Sequence, residues 1–407
     1  MTINNQATAK LAPNAHQFTA EQAALIQKIK QFTTNSWNQK HSVFTIYGDC
    51  GTGKSLILSQ LFYDFQQARH DEHSPLYQSQ NYFLVNHPEV LKVYKEMAGS
   101  EANVLKKNFM RPTSFINQLQ KKHEQADVVI IDEAHLLLSK PDHYNNFYGD
   151  NQLSEILKLS KVVIVVFDMQ QVIQTKNYWD QRRLDKILAG YPQASYHLTH
   201  QLRITARPNL INWINQFSKG KLTPLPKDAR KDYDFRVFAD AESMRQAIVA
   251  KNDQVGLSRI VSTTGYPSTL DGGLHYITET GGFKMPWDQY NFTSTPWAEL
   301  SQTIAEVGSI YTCQGFDLNY VGLILGPPVY LDEATNEIKI DLSKQTNTES
   351  IKRRKDIPDP AEFERIQRQI ILNSVNVLMK RGVYGTYLYA HDPKLRQALV
   401  REFAKLK

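Results

Sequence analysis

Only two cysteines, Cys50 and Cys313, occur in the 407 residues, which is too few for a disulfide framework and gives none of the spacings of a zinc site. No run approaches the roughly 18 consecutive apolar residues that span a bilayer, and the polar opening MTINNQATAKLAPN lacks the apolar stretch of a signal peptide. These absences argue against a disulfide-stapled secreted domain and against a helical membrane protein, and they predict a cytoplasmic chain with no membrane partner. Charge of one sign is scarce too. Lys and Arg number 47 against 41 Asp and Glu, a net charge of +6, which leans toward a polyanionic partner without requiring one. No nuclease constellation is apparent, so any strand cutting would need a protein partner such as a nuclease. What the chain does have is enough apolar residues, 41% of the total, to fill two cores of ordinary domain size.

A helical pattern opens at Thr19, with Leu25, Ile26, Ile29 and Phe32 at helix spacing. Residues 42–47, SVFTIY, then read as a strand, followed by GDCGTGKS and the apolar-periodic LILSQLFYDF. Strand, glycine loop and helix in that order are the setting a phosphate-binding loop needs. Gly48, Gly53, Lys54 and Ser55 satisfy its pattern. Gly51 relaxes the backbone, so the N–H groups along Asp49, Cys50, Gly51, Thr52 and Gly53 can converge on phosphate oxygens, with the positive helix end behind them. Lys54 would neutralise the outer phosphates and Ser55 would ligand magnesium. The expected ligands are therefore ATP and Mg2+. The Cys50 side chain is read as a tolerated loop residue.

Residues 127–131, DVVII, form a buried-type strand ending in Asp132, Glu133, Ala134 and His135. Asp132 would hold the magnesium through its water shell, and Glu133 would orient and deprotonate an attacking water. His135 is open between a link to a polynucleotide site and ordinary local hydrogen bonding. A third strand at 162–167, VVIVVF, precedes Asp168, Met169, Gln170 and Gln171. Polar groups beyond the carboxyl ends of parallel strands face a ligand, and Gln171, with Gln170 as its rival, would reach the γ-phosphate or the catalytic water.

GDCGTGKS, IIDEAH, FDMQQ and LTHQLR, followed by EVGSIYTCQGFDLNYVGLILG at 306–326 and NVLMKRGVYGTYLYA at 376–390, resemble the motifs of superfamily 1 helicases in order and approximate spacing. The versions here are most similar to those of uncharacterised bacterial ATPases related to the Schlafen DNA/RNA helicase-like domain. The likeness runs from about residue 18 to the end of the chain and is weak near 65–125 and 330–365. It implies an α/β fold of two tandem RecA-like P-loop NTPase domains with parallel sheets and a nucleotide cleft between them, bounded at 1–205 and 206–407. It also implies that Arg203 and Arg381 contact the γ-phosphate, with Arg207 a nearby competitor for the first. Gln22, with Phe18 and Thr19, matches the segment that reads adenine, although Thr19 and Gln22 also fit a helix capping box. Tyr311, Gln314, Gly315 and Asp317 match a nucleotide-sugar and strand-contacting motif. Tyr311 stands where histidine is common, Asp317 where glutamate is, and Lys380 where threonine is.

The activity implied is an ATP-dependent DNA/RNA helicase or single-strand translocase, a minimal motor with no room for large inserted domains. The alternative is a regulatory or signalling ATPase that clamps a protein partner. Residues 207–217 read as an amphipathic helix and 218–232 as a linker. Strands near 235–238, 259–262, 321–325 and 384–390 then alternate with helices at 241–250, 363–380 and from 393. Candidate contacts to a single strand of DNA or RNA are Thr312, Asn86 and His87 for phosphates and Trp287 and Phe109 for stacking, although aromatics at such positions are more often core residues. The run Lys352, Arg353, Arg354 and Lys355 would either grip phosphates or form a solvated loop.

Overall fold

A computed structural model describes residues 11–13, 17–48, 51–99, 101–198, 204–267, 273–289, 293, 295–313 and 317–406. The chain divides into two compact units, Met1–Val172 with Lys176–Leu202 and Ile173–Thr175 with Arg203–Lys407.

In the first unit, strands β1 (Ser42–Gly48), β2 (Asn81–Val85), β3 (Phe109–Met110), β4 (Ala126–Asp132), β5 (Ser160–Phe167) and β6 (Gln193–Leu198) form one six-stranded sheet in the order β3-β2-β4-β5-β1-β6. Every pairing in it is parallel. The central strands β4 and β5 are continuous Val/Ile runs buried on both faces, as a sheet covered by helices on each side demands. The helices are α1 (Ala20–Asn35), α2 (Lys54–Ala68), α3 (Pro88–Ala98), α4 (Pro112–Lys122), α5 (Gln152–Lys158) and α6 (Gln181–Leu188). The core packs Phe115, Ile116 and Leu119 of α4 and Leu153, Ile156 and Leu157 of α5 against Val129, Ile131, Val163 and Val165 of the sheet. Because β4, β5 and β1 are adjacent, their carboxyl ends at Asp132, Phe167 and Gly48 lie side by side along one rim.

The second unit repeats the plan. Strands β7 (Asp234–Val237), β8 (Ser258–Ser262), β11 (Val307–Gly308), β12 (Leu318–Leu325) and β15 (Gly382–Ala390) make a five-stranded parallel sheet in the order β11-β8-β12-β15-β7. Two antiparallel hairpins accompany it, β9 (Tyr276–Thr278) with β10 (Lys284–Pro286), and β13 (Val329–Asp332) with β14 (Glu337–Ile340). Its helices are α7 (Pro208–Phe217), α8 (Ala241–Val255), the single turn α9 (Ile310–Cys313), α10 (Pro360–Met379) and α11 (Pro393–Ala404). Each unit thus has the RecA-like α/β arrangement of a parallel sheet flanked by helices.

The structure decides three of the open readings. Trp287 and Phe109, offered as stacking residues, are 2% and 1% exposed; Trp287 fills the core beside Tyr266 and Met285, and Phe109 stacks on Phe83 with centroids 5.3 Å apart. In the basic run, Arg354 is only 1% exposed, forked onto Asp356 at 2.9 and 2.8 Å and donating to the Thr175 carbonyl at 2.6 Å. The 218–232 segment is not a free linker: the Gly220 carbonyl accepts from Ile338 N at 2.7 Å and the Thr223 carbonyl from the Trp213 indole at 2.9 Å. Among the described residues no helix is long and apolar enough to cross a membrane.

Candidate nucleotide site

The phosphate loop leaves β1 at Gly48 and enters α2 at Lys54. Gly51 and Gly53 sit at φ 91° and 79°, left-handed values that a Cβ disfavours, and this is why glycine is needed at both. Lys54 Nζ donates to the Gly48 carbonyl at 2.6 Å and stands 3.6 Å from Asp168 Oδ2. Asp168, just past β5, also accepts from Gln171 Nε2 at 2.8 Å through that oxygen and from the Gln170 amide at 3.1 Å through the other. Lys54, Asp168 and Gln171 are therefore one buried chain across the ends of β1 and β5. Gln171 is the buried member of the glutamine pair.

At the end of β4, Asp132 Oδ2 accepts from Ser55 Oγ at 2.8 Å and from the Tyr94 hydroxyl at 2.7 Å, while Oδ1 accepts from the Glu133 amide at 2.9 Å. Burial pushes the Asp132 carboxyl above its ordinary value, with the neighbouring Glu133 charge adding to the rise, and the Tyr94 and Ser55 hydrogen bonds oppose it. Burial, reinforced by Asp132, holds the Tyr94 hydroxyl well above the usual phenol range. Glu133 occupies φ 53°, ψ 44°, a left-handed conformation that costs a non-glycine residue on the order of 1 kcal/mol and concentrates at functional sites. Its Oε2 stands 2.9 Å from His135 Nε2, and His135 is itself fully buried.

Gln22 reaches the same loop. Its Nε2 donates to the Thr52 carbonyl at 3.4 Å while its Oε1 accepts from Thr19 N at 3.1 Å, completing the capping box of α1. The structure thus brings Gln22, Thr52, Lys54, Ser55, Asp132, Glu133 and Gln171 to one end of the first sheet. The expected residues Asp49, Cys50, Arg203, Gln314 and Gly315 lie outside the described residues.

In the second unit, Asp317 and Arg381 precede the paired strands β12 and β15, and Leu318 N donates to the Arg381 carbonyl at 3.0 Å. Arg381 is 1% exposed and its charge partly offsets the burial that pushes the Cys313 thiol up to about 12. Tyr311 accepts from Asn347 Nδ2 at 3.0 Å, and Thr312 exchanges hydrogen bonds with the Ser309 backbone. Arg207 is held by Asp232 at 2.6 and 2.9 Å, and Lys380 Nζ donates to Asn215 at 2.6 Å. In the first unit, Asn86 donates to the Leu136 carbonyl at 2.6 Å and His87 caps α3.

Sequence reasoning passed over Asp168 and Tyr94. Asp168 stood inside FDMQQ and could have been found by its place at a strand end. Tyr94 carried no such signal, since it falls among the apolar positions of α3.

Residues 41–392 match the sequence profile of the Schlafen group 3 DNA/RNA helicase domain. Protein YPL245W of Saccharomyces cerevisiae, itself uncharacterized, is 39% identical over 435 positions, covering 99% of this chain and 94% of its own. Among solved structures, the Pif1 helicase of Candida albicans is 11% identical over 96% of this chain and 99% of its own, with a TM-score of 0.38. A DNA replication initiation factor is 12% identical, with a TM-score of 0.27, over 50% of this chain and about half, 53%, of its own. At such scores the two structural likenesses add nothing to what the sequences establish.

Proposed function

We propose that this chain, which belongs to the Schlafen group 3 DNA/RNA helicase domain family, is a magnesium-dependent ATPase that couples hydrolysis to movement along single-stranded DNA or RNA. The observation that carries the reading is the 2.8 Å hydrogen bond from Ser55 Oγ to Asp132 Oδ2, beside Lys54 at the mouth of a phosphate loop. A hydroxyl and a carboxylate are the hard oxygen donors that magnesium takes, with nucleotide phosphates and water completing its shell. The donor set therefore fits the metal, with Ser55 and Asp132 as its holders. Bound magnesium would neutralise charge on the outer phosphates.

The chain's own groups supply the rest. The Lys54 ammonium would leave Gly48 and Asp168 for the β- and γ-phosphates. Glu133 would take a proton from the attacking water, and Gln171 would orient that water from its bond to Asp168. Arg381 and Arg203 would stabilise charge developing on the γ-phosphoryl. Gln22 would read adenine, and Asp317 with Gly315 would contact the sugar.

The test is ATP turnover titrated with single- and double-stranded DNA and RNA. Stimulation that weakens with added salt supports a strand-tracking motor. Turnover indifferent to every polynucleotide overturns that reading and favours a nucleotide-dependent clamp on a protein.

A further inference from the structure

The buried positions of α3 include Val90, Leu91, Val93, Tyr94 and Met97, helical spacing that an ordinary apolar face would also show. Tyr94 differs in bringing a hydroxyl into that face. Its ring packs on Phe83 at 4.4 Å between centroids and stacks with Phe109 at 5.9 Å, and the residue is wholly buried. A buried hydroxyl needs a polar partner, and this one donates to Asp132 Oδ2 at 2.7 Å, with the Ser55 carbonyl 3.5 Å away. The Asp132 carboxylate is thus gripped by three donors, Ser55 Oγ and Tyr94 on one oxygen and the Glu133 amide on the other. A second tie, Asn86 Nδ2 to the Leu136 carbonyl at 2.6 Å, fixes the start of α3 to the turn that follows Asp132.

We propose that Tyr94 is a positioning residue for the metal site: its hydroxyl holds Asp132 in the orientation in which that carboxylate and Ser55 share one divalent cation. This rests on the nucleotide-site reading above. Ser55 Oγ can offer a lone pair to the metal while its proton stays on Asp132, which leaves the Tyr94 hydroxyl as a second, separate donor on the same carboxylate oxygen. The buried Tyr94 hydroxyl spends its proton on that carboxylate at 2.7 Å and can keep it in place as the site fills. Hydrogen-bond partners of metal ligands typically contribute 10- to 100-fold in metal affinity.

The test compares the affinity for a mant-labelled ADP in excess magnesium with that in EDTA, since the ratio of the two isolates the contribution of the metal. Tyr94→Phe keeps both ring contacts and removes only the hydroxyl. Its affinity in EDTA should match wild type within about twofold, while the magnesium-to-EDTA ratio falls about tenfold or more. Phe83→Leu loosens the same aromatic stack but keeps the hydroxyl, and its ratio should equal that of wild type. The proposal is overturned if Tyr94→Phe keeps the wild-type ratio, if Phe83→Leu loses as much, or if Tyr94→Phe fails to fold, which would make the hydroxyl a determinant of the fold. Identical wild-type affinity in magnesium and EDTA would instead remove the metal-nucleotide reading on which the proposal stands.

Discussion

Replacing Glu133 with glutamine removes a proton acceptor while changing almost nothing else. The new side chain has the same length and suffers the same left-handed backbone at φ 53°, so the strain at that position is unaltered. Its amide fits the space of the carboxylate, 2.9 Å from His135 Nε2. A positioned general base contributes about 10²- to 10⁴-fold, or about 3 to 5 kcal/mol at 1.36 kcal/mol per decade. Single-turnover hydrolysis of magnesium-ATP should slow by that factor. Nucleotide binding should not weaken, and the reason lies with Asp132: its carboxyl is raised by burial and then by the Glu133 charge, and glutamine removes the second cause. Asp132 becomes easier to keep ionised, so magnesium-dependent affinity should hold or improve. The assay pairs single-turnover kinetics with equilibrium binding of a labelled ADP. Hydrolysis within about threefold of wild type, far short of the contribution of a general base, would refute the base assignment. An equal loss of hydrolysis and of binding would show that Glu133 shapes the site rather than acting in it.

Lys54→Ala removes the ammonium now 2.6 Å from the Gly48 carbonyl and should lower ATP turnover by at least about 10²-fold, measured as phosphate release. Arg381→Ala should lower turnover by about 10³-fold with a much smaller change in nucleotide affinity, since a γ-phosphate arginine acts on the transition state; equal losses in both would assign this buried residue a structural role. Glu279→Gln tests the second unit, where one carboxylate accepts from the Tyr266 and Tyr389 hydroxyls at 2.6 and 2.8 Å and from His391 Nδ1 at 2.5 Å. Burial raises the Glu279 carboxyl, but the His391, Tyr266 and Tyr389 bonds together outweigh it and leave it below the ordinary 4.5. A carboxyl depressed on folding contributes stability above its unfolded value and loses it as pH falls through its folded value. Thermal melts should therefore show wild type ahead of Glu279→Gln at about pH 7, with the gap closing as pH falls below the ordinary carboxyl range.

Much of the first sheet was legible because its strands are long apolar runs with a chemical signal at each end. SVFTIY before the glycine loop, DVVII before Asp132 and VVIVVF before Asp168 emerged as β1, β4 and β5 with their ends shifted by two residues or fewer. Strand β6, QASYHL, was not legible, since its burial alternates and it stands on the sheet edge beyond β1. The hairpins β9–β10 and β13–β14 escaped because three- and four-residue strands carry too little period to read. Trp287 and Phe109 took the core reading rather than the stacking one, and Arg354 is buried where its run read as phosphate grip or solvated loop, because composition does not say which way a side chain points. Once inside, the Arg354 guanidinium donates to the Thr175 carbonyl and the Trp287 indole to that of Pro267.

Asp132 and Glu133 are adjacent in sequence, and the two tasks proposed for them pull in opposite directions. A metal-holding carboxylate must stay ionised, whereas a general base must be ready to accept a proton. In an extended strand, successive side chains point to opposite faces, so neighbours on β4 would be kept apart. The turn to φ 53° at Glu133 breaks that alternation and lets both residues serve the same strand end. Their proximity then raises Asp132 through mutual repulsion on top of burial. The hydrogen bonds from Ser55, Tyr94 and the Glu133 amide supply the opposing pull, each favouring the charged form. Glu133 Oε2 lies 2.9 Å from His135 Nε2. The division of labour proposed for the two acids rests on the three donors that hold Asp132 ionised, and it makes the backbone turn between the acids as much a part of the site as either carboxylate.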